Sequence, residues 1–419
     1  MENLVANLPK KVTTRHRVTF AICLLCYLFG GLVSTLLSVY LPVVVRDLLG
    51  QVIEQEMGNV GAYIGALFLY GWVLGGIGFG LLADRFGRVN SFISAVVLYA
   101  VSTLLIGMVT SWPLLVVYRF VSGAGVGGVL VLATILVAET WPRSSRSVAQ
   151  GVLAVAFPVG IIVAGLVNNL SRDWRSAFQI GWIPLVVAGI AVFFLQEPAV
   201  WKDAQAFSSQ NNGLTGSGAL FQSTSRRNLL VGSVIFGTML IGLWAIFSWL
   251  PTWVQSLFSN PALGQQERGL TMVLLGSGGI IGGGFSGLLV NRLGYRPTLM
   301  IAFAGSFVMC VLLFGTNFIF SKAVYLETAA LALFFGISQG ALSAYLPELF
   351  PTAIRATATG FCFNIGRLAT ATVVFFVGTL VTVLGGYGNA VLVFSVTFLV
   401  GLWVLWLNPN LGTQTEKAG

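Results

Sequence analysis

Apolar runs of about 20 residues follow one another along the whole chain, separated by short polar stretches. A helix crosses roughly 30 Å of hydrocarbon with about 20 apolar residues. Twelve segments meet that length, at about 18–42, 59–82, 91–110, 113–138, 148–169, 176–195, 229–256, 270–290, 298–318, 324–346, 357–382 and 387–407. The runs are long and do not alternate apolar with polar positions as barrel strands do, so the pattern predicts helices. The first run is too long for the apolar core of a cleavable signal and lacks a small-residue cleavage site, so it is read as a span.

One long stretch breaks the pattern, from Gln196 to Asn228. Its Ser208-Ser-Gln-Asn-Asn-Gly-Leu-Thr-Gly-Ser-Gly218 segment reads as a flexible linker. The expected organisation is a six-helix bundle over 1–195, a linker over 196–228 and a second six-helix bundle over 229–419. Composition agrees: 56% of residues are hydrophobic, 8% are charged and the mean hydropathy is +0.90. Soluble domains carry about 25% charged residues, so lipid is the solvent for most of this surface.

The polar loops repeat. Gly80-Leu-Leu-Ala-Asp84-Arg85-Phe-Gly87-Arg88 returns about 207 residues later as Gly287-Leu-Leu-Val-Asn291-Arg292-Leu-Gly294-Tyr-Arg296. Glu139-x-x-Pro142-x-x-x-Arg146 returns as Glu348-x-x-Pro351-x-x-x-Arg355, offset by 209. Two pairs in the same order at nearly the same offset indicate a duplicated structure, and many secondary transporters are built from duplicated halves. With both termini cytoplasmic, fifteen basic residues fall on the cytoplasmic side and five on the other. That is a positive-inside bias. The net charge of +9 is therefore a topology signal facing anionic lipid, and its spread over many short loops argues against nucleic-acid binding.

These loop residues carry a family resemblance. Gly80-x-x-x-Asp84-Arg85-x-Gly87-Arg88 resembles the loop signature of the major facilitator superfamily. Arg119-Phe-Val-Ser-Gly-Ala-Gly-Val-Gly-Gly is similar to its second signature. Ala138-Glu139-Thr-Trp-Pro142, Asp173-Trp174-Arg175 and Tyr345-Leu-Pro347-Glu348-Leu-Phe-Pro351-Thr-x-x-Arg355, with Gly360, Asn364, Gly366 and Arg367, resemble its sugar-porter and organic-acid symporter branches. The resemblance covers nearly the whole chain. It implies the major facilitator fold: an all-α membrane protein of twelve transmembrane helices in two pseudo-symmetric six-helix bundles around a central cavity. Branch similarity points to metabolite, lactate or sialate proton symporters. It also implies gating roles for Asp84, Arg85, Arg88, Glu139, Arg146, Arg292, Glu348 and Arg355 as a latch on the cytoplasmic side. The alternative for the basic members is plain topology charge. Asn291 replaces Asp84 in the second copy, which weakens that half of the latch.

Ionisable groups within spans are costly unless they face a cavity or a partner. Arg119 lies 20 residues before Glu139, about 30 Å along the helix and toward the outer face. Glu327 lies at the matching depth before Glu348, offset from Arg119 by 208. Arg367 lies 12 residues past Arg355, about 18 Å in and near the midplane. A guanidinium there keeps its proton and requires a carboxylate, a backbone cage or an anionic ligand. Arg367 is the candidate for the carboxylate of an organic anion, the alternative being carbonyl bonds between helices. Arg119 either contacts substrate or anchors span four to span one.

Symporters of these branches place an acid in span one, whereas Tyr27-Leu-Phe-Gly30-Gly31-Leu-Val-Ser34-Thr35 has none. Glu327 is then the candidate proton-coupling acid, and loss of coupling would give a uniporter. Asn364, Gln339, Trp249 and Tyr70 are candidate substrate contacts, with Trp244, Trp253 and Trp72 as further aromatics.

Other chemistry is not supported. Gly123-x-Gly125-x-x-Gly128 follows no strand and lies in an apolar helix, where close packing explains glycine better than a dinucleotide does. Cys23-x-x-Cys26 is within a span, and with Cys310 and Cys362 it makes no metal set and no disulfide framework. His16 is the single histidine and lies in the basic tail. No Ser/His/Asp arrangement, phosphate-binding loop or paired carboxylates stand out, so no enzyme, cofactor or metal is expected. The expected protein is a monomeric secondary carrier of a small organic anion, proton-linked, in a bacterial inner membrane. The alternatives are a neutral sugar or polyol porter, a uniporter, and a membrane receptor that binds without translocating.

Overall fold

A computed structural model describes residues 12–50, 54–142, 145–171, 173–198, 201, 223–260, 263–350 and 355–408. Among these residues there is no strand. The first six helices are α1 (Thr14–Leu49), α2 (Glu54–Phe86), α3 (Arg88–Ile106), α4 (Trp112–Thr140), α5 (Arg146–Leu170) and α6 (Trp174–Phe194, with a 3-10 step over Phe178–Gly181). After them come α7 (Ser223–Ser256), α8 (Gln265–Leu293), α9 (Tyr295–Thr316), α10 (Ala323–Glu348), α11 (Arg355–Phe375, continued by Val377–Leu384) and α12 (Tyr387–Leu407). Twelve helices are long and apolar enough to cross a membrane, as the apolar runs predict. The Ser208 to Gly218 stretch lies outside the described residues.

Helix ends differ from the apolar runs where turn chemistry intervenes. Apolar character continues to residue 110, yet α3 stops at Ile106. A Cβ at Gly107 would sit 2.9 Å from the carbonyl of Arg175, so only glycine lets the chain pass there. Arg175 then donates from Nη2 to the carbonyl of Val109 at 3.2 Å. Its guanidinium also lies 4.3 Å from the Trp174 ring. Asp173 caps α6 by accepting the N–H groups of Ser176 at 2.9 Å and Arg175 at 3.1 Å. The N–H of Ser176 foremost, and that of Arg175 after it, hold the Asp173 carboxyl below the usual range.

The chain divides into two compact units. One comprises Met1–Leu37, Leu67–Ala164 and Ser171–Leu214; the other comprises Ser38–Ala66, Gly165–Leu170 and Thr215–Gly419. In each, one helix pair is interlocked by glycine. In the first unit, a Cβ at Gly71 or Gly75 would fall on the carbonyls of Phe120 or Ala124. Reciprocally, one at Gly123 or Gly127 would fall on those of Phe68 or Trp72. In the second unit, Gly278 and Gly282 of α8 stand against the carbonyls of Ala329 and Leu333, and Gly336 of α10 against that of Gly279. The Gly-rich segment of α4 is thus a packing surface, as its setting in an apolar helix predicts.

The outward side is apolar. On α6, Ile183, Val186, Ile190 and Phe193 form one exposed stripe, with Phe193 83% exposed. Pro184, Val187, Ala188 and Ala191 form its buried side. Water would make such a stripe an aggregation hazard, while lipid makes it neutral.

Two outcomes follow for stability. Gly75→Leu forces a side chain onto the backbone of α4 and is expected to cost about 1–3 kcal/mol or to abolish folding, read as a lowered unfolding temperature in detergent. Asp173 has a folded pKa below its unfolded value, so its stabilisation is present above about pH 4 and fades as pH falls through the folded value. The gap in melting temperature between wild type and Asp173→Asn is therefore expected at neutral pH and to close in acid.

Candidate functional site

The duplicated loops build two clusters, one in each unit. In the first, Gly87 adopts a φ of +105°, which lets α2 turn directly into α3. This places Arg88 beside two acids. Its Nη1 lies 2.5 Å from Asp84 Oδ1, and its Nε lies 3.4 Å from Glu139 Oε1. The structure therefore brings Asp84, Arg88 and Glu139 together. Arg85 points away, exposed, with its guanidinium 5.3 Å from the Phe86 ring. Arg146 donates to the carbonyl of Trp141 at 3.3 Å and caps the end of α4.

A fourth member was not singled out from sequence. Glu197, just past α6, accepts three backbone N–H groups at the start of α3: Arg88 at 2.7 Å, Val89 at 2.9 Å and Asn90 at 3.3 Å. These are the donors a helix leaves without partners in its first turn, and a carboxylate also meets the positive end of the helix dipole. A Cβ at Gly87 would collide with the Glu197 carboxylate, so the same glycine serves the turn and the docking. The signal was its position: an acid followed by Pro198 directly after a span.

The second cluster keeps the layout and changes the chemistry. Tyr295 holds the register of Arg88, and its hydroxyl donates to Glu348 Oε1 at 2.8 Å. A hydrogen bond from an uncharged phenol replaces an ion pair. Arg296 donates to the carbonyls of Leu405 at 2.9 Å and Trp406 at 3.0 Å, the last turn of α12. In the first unit an acid after α6 binds the N-terminus of α3. In the second a base at the start of α9 binds the C-terminus of α12. Both complement the helix dipole, with opposite sign. Arg292 is exposed. The side chain of Arg355 lies outside the described residues.

Charges within the spans have definite partners. Arg119 is 2% exposed and donates to the carbonyls of Val33 at 2.9 Å and Ser34 at 3.2 Å on α1. Its guanidinium lies 3.9 Å from the Phe68 ring centroid, and its Nε is unpartnered. It ties α4 to α1. Glu327 lies near the start of α10 and accepts from Asn317 Nδ2 at 2.7 Å, joining α9 to α10. Asn364 donates back to Gly360 within α11 at 3.0 Å. Arg367 follows it by three residues and is half-buried, as are Gln339 and Tyr70. Trp249 is 1% exposed and stacks on Tyr387 at 5.5 Å.

Residues 23–373 match the family model described as Major Facilitator Superfamily. The chain belongs to the Major Facilitator Superfamily. It is 28% identical to the cis,cis-muconate transport protein of Acinetobacter baylyi (strain ATCC 33305 / BD413 / ADP1), covering 85% of each chain. It is 27% identical to the sialic acid transporter NanX of Escherichia coli (strain K12), covering 93% of this chain and 92% of that one. The crystal structure of D-xylose-proton symporter superposes with a TM-score of 0.78 at 18% identity, over 93% of this chain and 97% of that one. This last likeness is one of fold.

This major facilitator protein is accordingly a multi-pass membrane transporter of a small-molecule substrate and not an enzyme. In it, Glu197→Gln keeps the shape of the α3 dock and removes its charge. The expected cost is about 0.5–2 kcal/mol, seen as a lower unfolding midpoint in detergent. An unchanged midpoint would mean that water serves the three N–H groups as well as the carboxylate does.

Proposed function

We propose that the chain is a secondary carrier of a small organic carboxylate across the cytoplasmic membrane of a bacterium. It works as a monomer in lipid, by alternating access between bundles 1–195 and 229–419 joined by 196–228. Both termini and the duplicated loops face the cytoplasm. The observation that carries this reading is Arg367: a half-buried guanidinium twelve residues into α11, one turn beyond Asn364. A cation at that depth suits a bidentate carboxylate. Muconate and sialic acid, named for two relatives, are both carboxylates. Asn364 and Gln339 are the further candidate contacts of the second unit and Tyr70 is the candidate of the first, where Arg119 ties α1 to α4.

The loop clusters are the gate. Asp84, Arg88 and Glu139 form a charged latch, with Arg85 and Arg146 flanking it. Glu348, Arg292 and Arg355 are the second copy. Proton linkage rests on Glu327. A second reading, transport without proton coupling, draws support from α1, which offers Arg119 carbonyl oxygens and no acid over Tyr27 to Thr35.

Thermal unfolding of purified protein against carboxylates, neutral sugars and cationic drugs tests the substrate class, because a ligand that binds the folded state raises its melting temperature. Stabilisation by a carboxylate, lost in Arg367→Ala and followed by flux into proteoliposomes, is expected. Stabilisation by a sugar that persists in Arg367→Ala would refute the assignment, and binding without flux would make the protein a receptor.

A further inference from the structure

The second unit contains a buried cation that no loop motif explains. Arg268 lies on the first turn of α8, about 25 residues and roughly 38 Å along the helix from the Gly294 turn. It is 3% exposed. Its Nη1 donates to Oε1 of Gln255 at the end of α7, and its Nε–H has no acceptor. The ionisable groups that face it are Tyr40 of α1, Arg46 and Glu267. Among the described residues no carboxylate lies within ion-pair distance of it.

Several other arginines in this chain bond backbone oxygen, although Arg119 too keeps an unpartnered Nε. Arg119 takes Val33 and Ser34, Arg175 takes Val109, and Arg296 takes Leu405 and Trp406. Arg268 rests on a side-chain amide, as exposed Arg227 does on Asn408, but does so while buried. Its neighbourhood differs too. Thr252 and Trp249 precede Gln255 on α7 at three-residue steps and are 2% and 1% exposed. The Thr252 hydroxyl and the Trp249 Nε1–H also lack partners. Among the described residues of this region three buried donors have no acceptor: Arg268 Nε on α8, and Thr252 and Trp249 within about 9 Å of Gln255 along α7.

We propose that Arg268, with Thr252 and Trp249, is a second carboxylate-binding station at the outer end of the second unit, met by the solute before it reaches Arg367. The inference rests on the carboxylate reading above. A carboxylate presents two acceptor oxygens and a full negative charge, which suits an unpaired guanidinium edge. Gln255 holds the guanidinium in place without neutralising it.

Gln255→Glu is the informative variant, because it sets a carboxylate against Arg268 while keeping side-chain size. Uptake of cis,cis-muconate, sialic acid and benzoate would be followed in whole cells, which load the outer face, and in inverted vesicles, which load the other. Gln255→Glu and Arg268→Gln are each expected to raise the whole-cell KM about tenfold or more. Little change is expected in kcat or in the inverted-vesicle KM. Should Arg268→Gln fail to fold, Gln255→Glu decides alone. Wild-type transport of a carboxylate with an unchanged whole-cell KM in Gln255→Glu overturns the second station and leaves Arg367 untouched. Wild type that carries a neutral sugar and none of the three acids overturns the carboxylate reading, and this inference with it.

Discussion

Close backbone approach at glycine is the constraint on which both units depend. In lipid, apolar side chains gain little by leaving the surface, so helices are held by packing and by polar bonds. The α2–α4 and α8–α10 contacts meet that condition by removing side chains where one helix meets the carbonyls of the other. α4 also carries Arg119, and α10 carries Glu327. The interlocked pairs therefore fix the depth and direction of the charges that matter. A change at Gly75 or Gly282 acts on the chemistry without touching it.

Duplication preserved geometry more strictly than charge. Arg88 and Tyr295 share a register and each holds the acid of its own half, Glu139 or Glu348. One contact is ionic and the other is a phenol–carboxylate hydrogen bond. Helix docking is inverted in the same manner, with Glu197 on an N-terminus and Arg296 on a C-terminus. A carrier needs two states of similar stability, and two strong ionic latches would favour one state heavily. On the gating role proposed above, dividing the task between an ion pair and a hydrogen bond from an uncharged donor is a physical route to a shallower preference. The substitution of Asn291 for Asp84 acts in the same direction.

Much of this was legible in the chain. Period and length gave the helices, and the family resemblance put Asp84, Arg88 and Glu139 in one latch together with Arg85 and Arg146, which instead meet Phe86 and the carbonyl of Trp141. The setting of Gly123 to Gly128 in an apolar span pointed to packing. Arg119 was placed by counting along a helix, and its anchoring role was one of two readings. What escaped depends on distant neighbours. Glu197 reads as the start of a linker, because nothing local reveals that α3, more than 100 residues earlier, presents its N–H groups there. Arg268 reads as a loop charge, since a helix start near a polar stretch gives no hint of 3% exposure. Counting gives depth along one helix. It does not give the partner on another.

The balance of charge inside the spans supports the proposed anionic solute. Arg119 and Arg367 lie within helices, while Arg268 and the acids Glu139, Glu327 and Glu348 lie near helix ends. Glu139 and Glu327 are already engaged with Arg88 and Asn317. A buried guanidinium keeps its charge, so the protein must solvate it with its own oxygens or leave it for a ligand. Carbonyls of α1 do so for Arg119. Around Arg268 the donors Thr252 and Trp249 add to the demand for an acceptor. Under the carboxylate reading proposed above, an interior with these fixed donors disfavours cations and uses its charge fully when the solute brings the carboxylate.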